Sequence, residues 1–455
     1  MRTWWPLVAV CLGSALFLVD TTVVTVALPD IGRDFGASLG ALQWVPNGYT
    51  LVLAVLMLTV GSLADRWGPR VTYLAGLTVF GIASLGCGLA ANSGELIAAR
   101  GVQGIGGAGI AVTGFALVMG TYRDRTRGTA IGVYFAVNGL GAAIGPMLGG
   151  ALTEFWGWRA IFFVNLPVVA LTVVVTVLAV RRDGATEKKP LDPAGMVTFG
   201  AAAAALTYGL SRGDWSFATV ASLVVAVAAF AAFVVVERRV PNPLLDPALF
   251  RDFAFSSLLA CSAASTLVFA ALLYLSIWLQ SGLGLGPVAA GFALMPLAAA
   301  SFVTSTVAGK LLHGVAPRLM LAIGVLLGGA GCALQLGLTA ESTATSVTAG
   351  LVVAGVGIGL AGPAMGAAVG GALPPGRGGM AAGILTTVRQ LGQTLGVAVL
   401  GIAFRAGAGS GAAGSAARGL DDVYLVATAA AAVTGVLVLV AVRAAGRSGT
   451  RPARA

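Results

Sequence analysis

A single acid within an apolar run is the residue of this sequence best placed to do chemistry. Residues 5–29 form a membrane-length apolar stretch in which Asp20 stands between Leu18 and Val19 on one side and Thr21 and Thr22 on the other. A carboxylate at bilayer depth costs a few kcal/mol or more unless a specific partner holds it there. Such a group can take up and give up a proton, so Asp20 is expected to bind a coupling proton. Arg100 is its expected partner. It lies five or six residues below the outer end of a later apolar segment, about 10 Å inside the boundary, while Asp20 lies roughly 13 Å below the outer end of its own. Asp20 is also the one acid that this placement leaves in the membrane core. The pair forms directly, through water or through Gln103; the alternative is an Arg100 satisfied by carbonyls and polar side chains. A second intramembrane cation, Arg389, is followed by Gln390 and Gln393. It either faces a central cavity or bonds carbonyls of a neighbouring bundle.

The elements that must position these groups are transmembrane helices. The chain of 455 residues is 58% hydrophobic and 10% charged, far from the quarter or so of charged residues in soluble domains. Its apolar runs are about twenty residues long, which suits helices crossing a core of about 30 Å and not the alternating strands of a membrane barrel. Fourteen helices are predicted near 6–28, 43–64, 71–91, 94–119, 127–151, 160–180, 193–211, 216–236, 254–279, 287–312, 318–338, 344–370, 379–404 and 421–442. With the N-terminus inside, 20 Lys and Arg fall in cytoplasmic segments and five in outer loops, which places both termini in the cytoplasm. The eight Trp cluster near predicted helix ends, as an interfacial belt requires. The first segment is long enough to be retained as a spanning helix.

Several function classes are excluded. The net charge of +10 encodes topology, because the basic residues sit in short loops and a C-terminal tail without stacking aromatics, so no nucleic acid is expected. The one His, the four Cys without paired spacing and the lack of paired carboxylates leave no metal site and no enzyme active site. Gly104, Gly106 and Gly109, and likewise Gly357, Gly359 and Gly362, satisfy a dinucleotide spacing, but they lie within membrane helices and follow no strand. No cofactor is expected, and no nucleotide loop supplies energy.

The sequence also repeats itself. Gly61, Leu63, Asp65, Pro69 and Arg70 match Gly309, Leu311, His313, Pro317 and Arg318 at an offset of 248. Gly128, Gly132, Val137, Leu140, Gly141 and Gly145 match Gly379, Gly383, Val388, Leu391, Gly392 and Gly396 at 251, and Arg389 takes the place of Asn138. Two six-helix halves separated by two extra helices explain the spacing, as in transporters whose bundles rock around a midplane site. The expected division is 1–189 for the first bundle, 190–240 for the extra pair and 241–455 for the second bundle with a short basic tail.

These residues resemble the major facilitator superfamily, and within it the fourteen-helix drug:proton antiporters. Gly61, Asp65, Arg66, Gly68 and Arg70 are similar to the superfamily's loop signature, although Val71 and Thr72 stand where further basic residues often follow. Arg100, Gln103, Gly104, Gly106 and Gly107 resemble its fourth-helix signature. Gly141, Gly145, Pro146, Gly149 and Gly150 resemble its antiporter motif. The stretches Leu18–Pro29 and Trp158–Pro167 resemble the fourteen-helix branch.

The resemblance implies proton-coupled export of small, largely apolar or monocationic compounds by alternating access, or alternatively export of one endogenous metabolite or antibiotic. Asp20 and Arg100 would couple the proton. Asp65 would latch the cytoplasmic side against a helix N-terminus of the other half, expected at Gly378. The run from Gly141 would pack tightly and stop leak. Gln103, Asn138, Arg389 and Gln390 are candidates for the central cavity. The expected partners are a small-molecule substrate, protons and the lipid bilayer, with the chain acting as a monomer. Arg outnumbers Lys 24 to 3, which points to a GC-rich bacterium and so to the bacterial inner membrane.

Overall fold

Prolines and polar caps set where the helices start. Pro6, Pro69 and Pro317 sit in the first turns of their helices, where a missing N–H costs nothing. Ser38, Asn92 and Ser216 cap others by accepting from Ala41, Glu95 and Thr219 N–H groups, as helix N-termini require. A computed structural model of the protein describes residues 4–182, 191–212, 216–241, 243–245, 253–311, 315–339, 341–372, 378–408 and 415–448. Its helices are α1 (Trp5–Phe35), α2 (Leu39–Trp67), α3 (Pro69–Leu89), α4 (Ser93–Thr121) and α5 (Asp124–Trp156). Next come α6 (Ala160–Ala179), α7 (Pro193–Arg212) and α8 (Phe217–Glu237). The remaining helices are α9 (Phe253–Ile277), α10 (Pro287–Leu311), α11 (Pro317–Ala333), α12 (Thr348–Ala372), α13 (Gly378–Ala408) and α14 (Ser415–Ser448). Among the described residues there is no strand.

Eleven of these helices are long and apolar enough to cross a membrane, or twelve if the bent α5 is one span. Two fall short. α11 has 17 residues, and α13 carries Arg389, Gln390, Gln393 and Arg405 along its length. The expected helix over 318–338 stops at Ala333 because the chain turns there: Gln335 bonds back to the Gly331 carbonyl and Gly337 adopts φ 80°. Two prolines do not end their helices. α1 runs through Pro29 to Phe35, so the first helix is longer than its apolar run. α5 bends by 41° at residue 143, next to the Ala142 carbonyl whose bond Pro146 removes.

The described chain forms two units. Unit 1 is Met1–Asp246 with Gly286–Phe292 and Pro374–Thr387; unit 2 is Pro247–Leu285, Ala293–Leu373 and Val388–Ala455. The extra pair α7 and α8 therefore groups with the first bundle, and α7 packs on α2. In unit 1, α3 packs on α4 and α6, α2 on α4, and α1 on α5 and α6. In unit 2, α11 packs on α12 and α14, and α9 on α14.

The same close contacts recur inside each unit at the offsets of the sequence repeat. Gly106 lies against Gly76 and Phe80 in unit 1, and Gly357 against Gly324 and Gly328 in unit 2. Gly104 meets the Tyr49 carbonyl as Gly355 meets that of Leu297. Gly141 meets Ala15 as Gly392 meets Ala263, and Gly145 meets Val19 as Gly396 meets Leu267. Position pairs on α1, α2 and α3 shift by 248 and those on α4 and α5 by 251. Lipid tails are as apolar as the side chains, so helix association in a membrane depends on close backbone approach at such small residues. His313, the repeat partner of Asp65, lies outside the described residues.

A Cβ on Gly106 would stand 2.5 Å from the Phe80 backbone nitrogen, whereas one on Gly120 would meet nothing within 4 Å. Gly106→Ala is therefore expected to destabilise the protein by about 1–3 kcal/mol, read as a lower unfolding temperature in detergent. Gly120→Ala should leave that temperature unchanged or slightly higher. Equal unfolding temperatures for the two variants would contradict this packing.

Candidate functional site

Four helices of unit 1 bring polar side chains to one fully buried point. Arg100 and Gln103 are three residues apart on α4 and so share a face. Asp20 comes from α1, Ser84 from α3 and Asn165 from α6, and none of the five is more than 1% exposed. Arg100 Nη1 donates to Asp20 Oδ2 at 2.6 Å, so the expected pair is direct. Gln103 Nε2 and Asn165 Nδ2 donate to Asp20 Oδ1 at 2.9 and 2.8 Å. Ser84 Oγ accepts from both amides and donates to the Phe80 carbonyl.

Arg100 is held from several sides. Its Nη1 also donates to Gln103 Oε1, its Nε donates to the Val45 carbonyl at 3.3 Å, and its guanidinium lies over the Tyr49 ring at 4.2 Å from the centroid. Carbonyl bonding and carboxylate pairing thus act together. Nη2 has no acceptor. Removing one member of a buried pair leaves an uncompensated charge, at a cost of about 3–5 kcal/mol. Every group that contacts the Asp20 carboxylate is a donor. Two donors meet Oδ1 and one meets Oδ2, an arrangement that answers a carboxylate, and a proton added on Oδ2 would find no acceptor among these partners.

Asn165 and Ser84 lie outside the set of site residues expected from sequence. Asn165 belongs to the stretch Trp158–Pro167, and the structure explains that stretch as two anchors. At its start, Arg159 Nη1 and Trp158 Nε1 donate to Asp34 Oδ2 at the end of α1, at 2.7 and 3.1 Å. Six residues later, past the one-residue break at Val164 where Pro167 interrupts the helix bonding, Asn165 reaches Asp20.

The loop signature is built around a helix N-terminus. The Asp65 carboxylate accepts from the Gly379 and Met380 N–H groups at 2.7 and 2.9 Å, in the first turn of α13, where the helix dipole favours an anion. Gly61 is required there: a Cβ would stand 2.7 Å from the Gly379 carbonyl oxygen. Gly68 makes the turn from α2 to α3 at φ 95°, a conformation that favours glycine. Arg70 Nη2 donates to the Val177 carbonyl at 3.0 Å. Arg66 is half-buried beside it in sequence.

The glycine run of α5 packs on α1. Gly141, Gly145 and Gly149 approach Ala15, Val19 and Val23, while Gly150 has its nearest outside neighbour in Val288 at 3.7 Å. Of the cavity candidates, Gln103 is locked in the Asp20 network. Asn138 accepts from the Ser14 hydroxyl. Arg389 and Gln390 are half-buried on the part of α13 that belongs to unit 2.

The model of the major facilitator superfamily matches residues 10–397. The multidrug resistance protein Stp of Mycobacterium tuberculosis is 36% identical over 87% of this chain and 74% of its own length. The tetracenomycin C resistance and export protein of Streptomyces glaucescens is 34% identical over 88% and 76%. The crystal structure of the human organic anion transporter MFSD10 (TETRAN) shares the fold, with a TM-score of 0.69 at 16% identity, covering 96% of this chain and 99% of that one. The match across most of the sequence, the shared fold and the membrane-length helices together show that this chain belongs to the major facilitator superfamily, as a multi-pass transporter of the bacterial plasma membrane and not an enzyme.

Proposed function

We propose that the protein is a proton-coupled antiporter that exports drugs or other small, largely apolar or monocationic compounds. It crosses the membrane fourteen times with both termini in the cytoplasm and works as a monomer. The observation that carries this reading is the fully buried Asp20, held by Arg100, Gln103 and Asn165. A proton on Asp20 removes the charge that Arg100 answers and puts an O–H among donors, so protonation weakens the network that locks the four helices together. A monocationic substrate competes with the proton for the same surroundings. A neutral one acts by favouring the deprotonated conformation, since a ligand shifts an equilibrium through its differential affinity alone.

In this scheme Asp65, seated on the N-terminus of α13, holds the cytoplasmic side shut while the run Gly141–Gly150 seals the helix contact against leak. Asn138, Arg389 and Gln390 are the proposed substrate contacts. The alternative, a dedicated exporter of one antibiotic or metabolite, is favoured by the likeness to the tetracenomycin C export protein; the likeness to Stp favours breadth. Growth of a pump-deficient host expressing the chain, across a panel of toxic compounds, separates the two.

Asp65→Asn keeps the shape but removes a charge that a helix N-terminus stabilises by roughly 0.3–1 kcal/mol, or up to ~2 when partly buried. The outward-open population should fall by about two- to fivefold relative to the other states. Cysteine labelling at cytoplasmic cavity positions reads it, and equal rates in variant and parent would count against the latch. For Asp20→Asn, which preserves an acceptor for Arg100 but leaves its charge uncompensated at a cost of about 3–5 kcal/mol, the expected result is a folded though less stable protein that no longer drives substrate uphill with a proton gradient. Undiminished uphill transport by this variant across about pH 6 to 8 would remove Asp20 from the mechanism.

A further inference from the structure

The extra helix pair holds two buried acids whose free oxygens have no donor. Asp192 caps α7: its carbonyl accepts from Met196 N–H at 3.0 Å and its Oδ1 from Gly195 N–H at 2.8 Å. Glu237 ends α8, one residue past the apolar run 216–236, and its Oε2 accepts from Leu245 N–H at 3.0 Å. The residues are 3% and 2% exposed. Each thus uses one oxygen to hold backbone. The other two oxygens, Asp192 Oδ2 and Glu237 Oε1, are buried without a hydrogen-bond partner. They converge on one point, because a Cβ added at Gly195 would overlap both.

Charge makes this arrangement untenable with both groups ionised. Two carboxylates sharing a dehydrated site cannot both carry charge unless a cation lies between them. Among the described residues neither acid has an ion pair. Arg238 and Arg239, which follow Glu237, are exposed. On α2, which packs against α7, the charges near this end are Asp65, bound to the N-terminus of α13, and Arg66; the segment that Glu237 holds presents Leu244 and Leu245.

We propose that Asp192 and Glu237 bind one proton between them, as an acid–carboxylate pair that fastens the start of α7, the end of α8 and the segment up to Leu245 to one another. The two orphaned acceptors become the ends of one O–H···O bond, and no other ligand is needed. The pair differs from Asp20, both of whose oxygens accept from donors, and it stands independently of the transport reading. Burial, reinforced by the adjacent Asp192, pushes the Glu237 carboxyl up to about 7. With the carboxyl raised in the folded state, the proton's contribution to stability is fully present below the ordinary carboxylate range and is lost as pH rises through about 7.

The test is thermal unfolding of the full-length protein in detergent across pH, for the parent and for Glu237→Gln, whose amide can donate N–H to Asp192 Oδ2 at every pH. The parent's unfolding temperature should fall by a few degrees between about pH 6 and about pH 8, and that fall should be absent in the variant. If Glu237→Gln does not fold, Asp192→Asn, which retains a capping oxygen, serves in its place. Infrared spectra of the parent at the acid end should carry a protonated-carboxyl band that either variant lacks. The same pH dependence in parent and variant would overturn the proposal. So would a parent whose stability at the alkaline end is raised by sodium, potassium, magnesium or calcium chloride over choline chloride, since a cation would then occupy the proton's place.

Discussion

A charge placed inside a bilayer must be answered by another group, and much of unit 1 follows from that constraint. Asp20 and Arg100 meet at 2.6 Å with no exposure, so α1 and α4 have to approach closely at that depth. α3 and α6 must be near enough for Ser84 and Asn165 to complete the hydrogen bonds. α2 supplies the Val45 carbonyl and the Tyr49 ring that hold the rest of the guanidinium. A buried pair of this kind is weak evidence for net stability, because desolvation offsets much of the attraction. Its persistence in a membrane segment is better explained by function.

Close approach is made possible by small residues, and the same contacts serve both halves. Gly76 against Gly106 and Gly324 against Gly357 bring backbone onto backbone, and Gly145 and Gly396 do the same on their own partner helices. Helices in such close contact have little room to slide past one another, because packed interfaces are not continuously deformable. Under the proposed alternating access, such packing would keep each bundle intact. The Asp65 contact to α13 has a different character: two hydrogen bonds from helix-end amides, part-buried, to one carboxylate, with no backbone bond of either helix given up when they part.

Asp20, Arg100 and the repeat are legible in the sequence because each breaks a strong expectation: a charge where none is cheap, or a glycine pattern recurring at one offset. The position of Asp65 on the start of α13 is legible only through the resemblance of its loop to the superfamily's signature. Ser84 is not, since a serine in a membrane helix usually bonds its own preceding turn, and Ser84 does that as well through the Phe80 carbonyl. Asn165 carries a signal, an amide two residues before Pro167 within an apolar stretch, but its partner lies 145 positions away. Helix ends are legible from caps and less so from prolines, since α1 and α5 continue through Pro29 and Pro146. The orphaned oxygens of Asp192 and Glu237 depend on how a linker folds back to Leu245, which no local pattern encodes.

In the proposed mechanism, proton and substrate exclude each other at Asp20. That exclusion is tested most directly by proton release in weakly buffered detergent, using purified protein and a compound that the parent extrudes. The parent should release up to about one proton per bound compound, and Asp20→Asn none with the same compound bound. Equal proton release from parent and variant would contradict the exclusion.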